Sequence, residues 1–248
     1  MAATDVLKRY GIKEVSDVTF YEINAETGEP AAPVLYLDTL KVSTIEQTAD
    51  NTSARGGKGN PELIIWDYGK EITLNIEDAL FSMKSMAIMY GALDKDGKPV
   101  IDSTATLRRT ARKDQVKNGK VEIHNTEVTI GEGAKYYDEK GQELATEAGA
   151  APADYAYVTF DITGKNVQQI EISAETFPGT YYVTGDTYAR SEITGKDEFF
   201  QFIVQKAKML SDVTLTMEAE GDPSTFSMQM KVLRPKDGKM MKLVKYDI

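Results

Sequence analysis

Apolar and polar residues alternate along much of the chain, and this pattern predicts β-strands. One strand is predicted at Asp17–Ile23 and another at Val34–Ile45. The second has apolar residues on both faces near its start, which is typical of a strand covered on both sides. Further on, Leu63–Trp66 and Glu71–Ile76 are expected to form a hairpin around a turn at Asp67–Lys70. The early part of the chain therefore indicates a sheet rather than a helical bundle.

A polar segment from Gln47 to Pro61 interrupts this pattern and contains no large apolar residue. Its glycines (Gly56, Gly57 and Gly59) leave the backbone conformationally free. A structureless loop of about 15 residues is uncommon in a compact domain and is usually functional or disordered. We expect this loop to become ordered by docking on a neighbouring copy of the same protein.

One helix is predicted, at Asp78–Tyr90, where the apolar period changes from two residues to that of a helix. Leu80, Met83, Ala87 and Tyr90 fall on one face of it, and Gly91 is a suitable terminator. Methionines at this spacing indicate core packing rather than a binding groove. A second, short helix is a weaker candidate at residues 4–10.

The C-terminal part of the chain predicts an antiparallel meander. A last hairpin is the clearest, because its arms at residues 213–219 and 226–232 each alternate between an apolar and a polar face. The other predicted strands are Tyr155–Ile162 paired with Val167–Ile172, then Thr180–Thr184, Phe199–Leu210 and Met240–Tyr246.

Residues 92–154 are polar and rich in turn signals, and they predict a peripheral insertion or an elaborated sheet edge within a single domain spanning residues 1–248. This region holds the one basic cluster of the chain. The cluster could be a nucleic-acid patch, a solvated face or a docking site for the acidic surface of another subunit. No aromatic residue interleaves with the charges, which favours the latter two. The cluster consists of Arg108, Arg109, Arg112, Lys113, Lys117 and Lys120.

The composition is that of a globular protein with a core of its own, since 41% of the 248 residues are hydrophobic and 27% are charged. A formal net charge of −10 argues against a surface that grips nucleic acid. The absence of cysteine excludes disulfides and fits a reducing cytoplasm. No apolar run is long enough to span a bilayer, and residues 1–5 do not begin a signal peptide.

Catalytic and metal sites are not predicted, and no cofactor is expected. The only histidine, His124, has no recognisable partner, and Asp94 with Asp96 lacks the remaining pattern of a calcium loop. The Gly56–Gly59 stretch is followed by Asn60 and Pro61 instead of Ser or Thr and a helix, so it is not a phosphate-binding P-loop. Many strands without a site of chemistry are expected of a self-assembling structural protein.

Several stretches of the chain resemble the tail tube proteins (major tail proteins) of tailed bacteriophages. Together they amount to 49 of the 248 residues, and none is diagnostic by itself. These stretches are residues 11–21 (GIKEVSDVTFY), 35–41 (LYLDTLK), 54–61 (ARGGKGNP), 66–74 (WDYGKEITL), 177–182 (FPGTYY) and 219–226 (AEGDPSTF).

This resemblance implies a mainly β fold, a tail-tube-type β-sandwich or half-barrel with one flanking α-helix. It implies hexameric rings whose subunits donate strands to a continuous inner barrel, and rings that stack into a hollow tube for DNA. The partners would be other copies and further tail proteins (tape measure, baseplate, terminator, and sheath in a contractile tail), without a membrane. The protein would be made in the bacterial cytoplasm and reside in the virion tail.

The resemblance also gives the long loop a role, since in that family such a loop reaches an adjacent ring or subunit. The expected stacking residues are Asn51, Arg55, Gly56, Gly57, Lys58, Gly59, Asn60 and Pro61. A conduit for DNA needs a wall that does not bind phosphate. Polar-face residues of the last hairpin, Glu218, Glu220 and Gln229, are therefore expected to line the lumen.

Two alternatives remain open from the sequence. One is a baseplate or tail-terminator ring protein of related fold. The other is a carbohydrate-binding β-sandwich or a polysaccharide-acting enzyme, in which Trp66, Tyr181 and Tyr182 would stack on sugar rings.

Overall fold

The computed structural model describes residues 8–146, 150–164, 166–215 and 225–247, and the chain is mainly β with one α-helix. The predicted fold class, a mainly β sandwich-type fold with a single helix, is confirmed. The helix is α1 (Met83–Tyr90), and the strands are β1 (Tyr10–Ile12), β2 (Asp17–Ile23), β3 (Pro30–Leu37), β4 (Leu40–Arg55), β5 (Glu62–Asp78), β6 (Thr106–Arg112), β7 (Val116–Lys117), β8 (Lys120–Ile123), β9 (Thr126–Thr129), β10 (Lys135–Tyr137), β11 (Glu143–Leu144), β12 (Tyr157–Thr163), β13 (Thr180–Ser191), β14 (Asp197–Met209), β15 (Phe226–Val232) and β16 (Lys242–Tyr246).

The described residues divide into two compact units. The first comprises the chain up to Val100 and from Ile170 onward, and the second comprises Ile101–Gln169. In the first unit a single antiparallel sheet has the strand order β3-β2-β13-β14-β15-β5-β4, with β1 added to β13 and β16 added to β14. The edge strands of this path are therefore β3 and β4.

The core of the first unit is built from the alternate residues of its central strands. In β15 the apolar positions are buried and the polar ones between them lie on the other face, as the alternation predicts. Ile72, Leu74 and Ile76 of β5 join the same core, and so do Ile88 and Met89 of α1. Each such side chain contributes about 1.5–3 kcal/mol by leaving water.

The helix begins later than the sequence predicted. Asp78 ends β5, where its buried carboxylate accepts hydrogen bonds from the Thr39 hydroxyl and the backbone N–H of Leu80. Ser82 caps α1 by accepting from the Ser85 N–H. Leu80 therefore lies before the helix and is exposed, in contrast to the face predicted for it. The helix ends as predicted, at a left-handed Gly91.

Two other predictions of pairing were wrong. Tyr155–Ile162 contributes β12, but β12 pairs with β6 and β10, and Val167–Ile172 contributes only an isolated bridge between Gln169 and Asp102. Strand β15 lies between β14 and β5, and its predicted hairpin partner has no strand at residues 213–215. Residues 216–219 of that arm lie outside the described residues. Residues 4–7 of the short helix candidate also lie outside them, and Tyr10, the last residue of that candidate, begins β1.

The second unit has its own small core. A four-stranded antiparallel sheet of order β11-β10-β12-β6 and a three-stranded sheet of order β7-β8-β9 enclose it. Its buried side chains are Ala111, Val121, Tyr136, Tyr155, Val158 and Phe160. The prediction that residues 92–154 are a peripheral insertion stays a prediction.

A buried tyrosine in the first unit gives a test of the core. The ring of Tyr181 packs edge-on against Phe20, and its buried hydroxyl lies near the Gly179 backbone but makes no hydrogen bond of good geometry with the described residues. Burial raises the pKa of Tyr181 to about 12, from an ordinary value of 10.0. The unfolded chain therefore loses this proton first, and ionisation removes stability as the pH rises from about 10 to about 12.

We expect Tyr181→Phe to stabilise the protein by about 1 kcal/mol at pH 8, because it removes an unsatisfied buried hydroxyl. The advantage of the variant should grow to as much as about 3–4 kcal/mol near pH 12, since two pKa units correspond to about 2.7 kcal/mol. Urea unfolding of the variant and of the unchanged protein at pH 8, 10 and 11 measures this difference in the free energy of unfolding. Free energies of unfolding that differ by the same amount at all three values would contradict the assignment.

Candidate self-assembly site

A long β-hairpin, formed by β4 and β5, is the most prominent feature of the first unit. The two strands pair from Leu40 opposite Asp78 to Arg55 opposite Glu62. The prediction of a structureless loop at Gln47–Pro61 was therefore wrong, because most of that segment is strand. The backbone hydrogen bonds to β5 order it, so its polar side chains need no core of their own.

The turn predicted at Asp67–Lys70 was also wrong, because the structure has a β-bulge there. Strand β5 runs through these residues, and the register shifts between the pair Thr48–Glu71 and the pair Asp50–Tyr68. Gly69 has a φ of 62°, which is the left-handed conformation that glycine adopts in a bulge. The glycine that suggested a turn instead marks an irregularity within one strand.

The true turn is the tip of the hairpin, Gly56–Pro61. Gly57, Gly59 and Asn60 have positive φ angles, and the Gly56 N–H donates to the Pro61 carbonyl oxygen at 3.2 Å. The residues predicted for stacking thus fall in two places. Gly57, Lys58, Gly59, Asn60 and Pro61 are exposed at the tip and Gly56 is half-buried there, whereas Asn51 and Arg55 belong to β4.

Arg55 already has a partner within the hairpin. Its guanidinium forms an ion pair with the Glu62 carboxylate, which also accepts a hydrogen bond from the Ser53 hydroxyl at 3.3 Å. This contact closes the base of the tip. The charge of Arg55 is therefore partly neutralised before any other subunit approaches, and Lys58 is the cation at the tip itself.

The outer half of the hairpin exposes large apolar side chains on both faces. Leu63, Ile64, Ile65 and Trp66 are between 52 and 64% exposed. Consecutive residues of a strand point to opposite faces, and among the described residues the part of β5 before Thr73 pairs with β4 alone. An isolated two-stranded ribbon is marginally stable in water, and a contiguous apolar patch marks an interaction site. The run of four apolar residues was the sequence signal for this site, and it was assigned instead to a folded hairpin.

The two edges of the main sheet differ in how well they are protected against pairing with a strand of another chain. Edge strand β3 contains Pro30 and Pro33, which lack the N–H that a further strand would need. Edge strand β4 contains no proline and reads Thr-Ala-Asp-Asn-Thr-Ser-Ala at residues 48–54. Such an edge offers free N–H and C=O groups for pairing with another chain.

Gln229 lies on the polar face of β15, as predicted. It is directly opposite Asn75 of β5, which is opposite Thr44 of β4, so these three polar side chains form one row across the sheet. The neighbouring row contains Lys231, whose ammonium lies 2.7 Å from the Glu71 carboxylate. Glu218 and Glu220 lie outside the described residues.

The residues proposed for sugar stacking do not form a site. Tyr181 and Tyr182 are buried in the first unit, which corrects that interpretation, and Trp66 belongs to the hairpin. His124 occupies the turn between β8 and β9. In the basic cluster, Arg108 pairs with Asp161, Arg112 with Asp114 and Lys120 with Glu127.

Within the described parts of the chain, no group of three or more acidic or histidine side chains is arranged to hold a metal ion. Among the residues that the structure describes, no helix is long and apolar enough to cross a membrane.

The fold is that of a mainly β protein, and the exposed apolar side chains of its hairpin are a candidate surface for assembly. The chain belongs to the YomU/Tube protein family, a phage tail tube-type family, whose model matches residues 10–245. The resemblance to tail tube proteins is thereby confirmed. None of the curated proteins compared with the chain matches it.

Proposed function

We propose that this protein is the subunit of a phage tail tube, which assembles into stacked hexameric rings through which DNA passes to the host. The family supports a tube-type structural protein. The observation that carries the proposal is the outer half of the β4–β5 hairpin, which is paired along its backbone yet has apolar side chains exposed on both faces. Such a ribbon needs a second surface to cover it.

The hairpin acts as the stacking arm, and a neighbouring copy is its partner. Its apolar residues supply the buried area, and Lys58 is exposed at its tip. The acidic net charge of −10 supports a favourable approach of this cation to the next subunit. In this role the docking surface is larger than the glycine-rich tip alone and includes Leu63–Trp66.

The unprotected edge of β4 supports ring closure by strand pairing. In a head-to-tail ring, each subunit presents one edge of its sheet to a different surface of the next subunit. Pairing along β4 would satisfy its free backbone groups and continue the sheet from copy to copy. The prolines of β3 restrict pairing along the opposite edge.

The polar face of the sheet is proposed to line the lumen. The row Thr44–Asn75–Gln229 carries no net charge, and the acidic Glu218 and Glu220 precede β15 in the sequence. A wall of this kind makes few attractive contacts with phosphate, so DNA passes without adhesion.

The protein is proposed to have no catalytic activity and to act in the virion tail after synthesis in the bacterial cytoplasm. Its partners are other copies and the remaining tail proteins. The chain is proposed to form a single tail-tube domain with a peripheral insertion, and the separate compactness of residues 101–169 supports an insertion in this region.

Electron microscopy of the purified full chain tests this function. We expect tubes with hexameric rings, and a reconstruction in which Gln229 faces the lumen while the hairpin contacts the next ring. Rings that never stack would point to a terminator or baseplate role. A protein that stays monomeric at concentrations of about 1 mM would contradict self-assembly altogether.

A further inference from the structure

The second unit exposes a face of its four-stranded sheet that combines tyrosines with charged residues. Arg112, Tyr157, Tyr137 and Glu143 lie directly opposite one another across β6, β12, β10 and β11. Opposite residues point to the same side of a sheet. We name these four residues the tyrosine row. The adjacent row, from Ala111 to Leu144, contributes to the core, so the tyrosine row faces outward.

A cleft of about 980 Å³ adjoins the tyrosine row. Arg112 and Tyr157 belong to its lining, together with Tyr155 and the residues around Asp138 that follow β10. Side chains of both charges surround it, and Lys113 places its ammonium 5.5 Å from the centre of the Tyr155 ring. The cleft is shallow and open to solvent, so a ligand would lie along the face of the sheet rather than be enclosed.

Ion pairs hold the polar groups of this face in place. Both Asp161 oxygens accept hydrogen bonds from Arg108, at 2.8 and 2.9 Å, and Lys135 donates to Glu143 at 3.1 Å. Arg108 holds the pKa of the Asp161 carboxyl below its usual value, which keeps this acceptor ionised. Each pair is exposed and retains donor and acceptor capacity for a ligand.

The charge balance of the second unit narrows the class of ligand. Residues 101–169 contain nine basic and eleven acidic side chains, so the unit has no excess of cations for phosphate or sulfate. A neutral ligand with many hydroxyl groups fits better. The C–H face of a sugar ring packs on an aromatic ring, while its hydroxyls pair with planar carboxylate and guanidinium groups.

We propose that the tyrosine row and its cleft form a binding site for a neutral oligosaccharide. Tyr137 and Tyr157 provide the stacking surface, and Arg112 with the neighbouring carboxylates pairs with the hydroxyls. The site lies within the second unit and is independent of the hairpin and of the tube function.

Binding of the full chain to chitotetraose, maltotetraose, cellotetraose and mannotetraose tests this site. Saturation-transfer NMR and calorimetric titration should detect at least one of these probes, with a Kd on the order of 0.1–1 mM. Tyr157→Ala and Tyr137→Ala should each weaken that binding by about tenfold or more, because each removes a stacking ring. Thermal unfolding confirms that both variants remain folded.

Tyr188→Ala is the matched control, since Tyr188 is 47% exposed on the first unit and Tyr157 is 40% exposed. Its affinity for the probe should equal that of the unchanged protein. Three results would overturn the proposal. These are binding to none of the four probes, binding that both tyrosine variants retain, and tighter binding of single-stranded DNA or heparin than of any neutral probe.

Discussion

Replacing Ile64 and Trp66 together by aspartate will abolish tube formation and leave the subunit folded. Both side chains are more than half exposed, on the same face of the hairpin, opposite Ala54 and Thr52. In the folded monomer they contact little, so the monomer loses almost nothing. In an interface they would each contribute about 1.5–3 kcal/mol, and a buried unpaired carboxylate costs several kcal/mol more. A loss of about 5 kcal/mol weakens association by more than a thousandfold.

Sedimentation and negative-stain microscopy measure assembly, and thermal unfolding measures the fold. The unfolding temperature should stay within about 2 °C of that of the unchanged protein, because exposed substitutions alter stability by less than about 0.5 kcal/mol. The comparison variant replaces Leu63 and Ile65, which lie on the opposite face of the same strand. The face whose substitution has the larger effect is the one buried in the interface.

A shortened hairpin makes the same test without adding charge. Asn51 lies opposite Asp67, so replacing residues 51–67 by Asn-Gly removes the outer part of both strands and leaves the pair Asp50–Tyr68 on either side of the new turn. Asn-Gly is the favoured two-residue hairpin turn. The shortened protein should fold and remain unassembled. Normal tubes from the shortened protein, or from a further variant in which Leu63, Ile64, Ile65 and Trp66 are all replaced by aspartate, would show that the hairpin does not mediate assembly.

The sequence predicted elements well where burial sets the pattern. Strand β2 has the predicted bounds, and β15 buries its alternate residues, because one face of each is covered by the core. The polar arm of the hairpin was missed for the opposite reason. Residues 47–55 form a strand through backbone pairing to β5, with both faces exposed, so no hydrophobic period reveals it.

The candidate site was only partly predictable. The glycine-rich tip was correctly located from its composition, whereas the apolar run at Leu63–Trp66 was assigned to the folded sheet. A sequence does not distinguish an apolar residue covered by its own chain from one left for another chain. Likewise, Tyr181 and Tyr182 were considered as ligand contacts, although the register of β13 places them in the core.

The left-handed glycine that ends the helix has a further role, and Gly91→Ala should be strongly destabilising. Gly91 has a φ of 71°, which costs an alanine about 1–2 kcal/mol. A Cβ at this position would also lie 2.6 Å from the backbone of Phe177 and 2.7 Å from that of Pro178. Backbone atoms cannot rotate away as a side chain does, so overpacking adds about 1–3 kcal/mol. We expect a total loss of about 2–5 kcal/mol.

Gly97→Ala separates the two contributions. Gly97 has a similar φ of 80°, but no atom lies within 4 Å of the position that its Cβ would occupy. Its substitution should therefore cost only the backbone strain of about 1–2 kcal/mol. Urea unfolding of both variants gives the two losses, and equal losses would mean that the segment before β13 moves freely. A larger loss at Gly91 would show that this segment is fixed against the end of α1, so that residues distant in sequence hold the helix against the sheet.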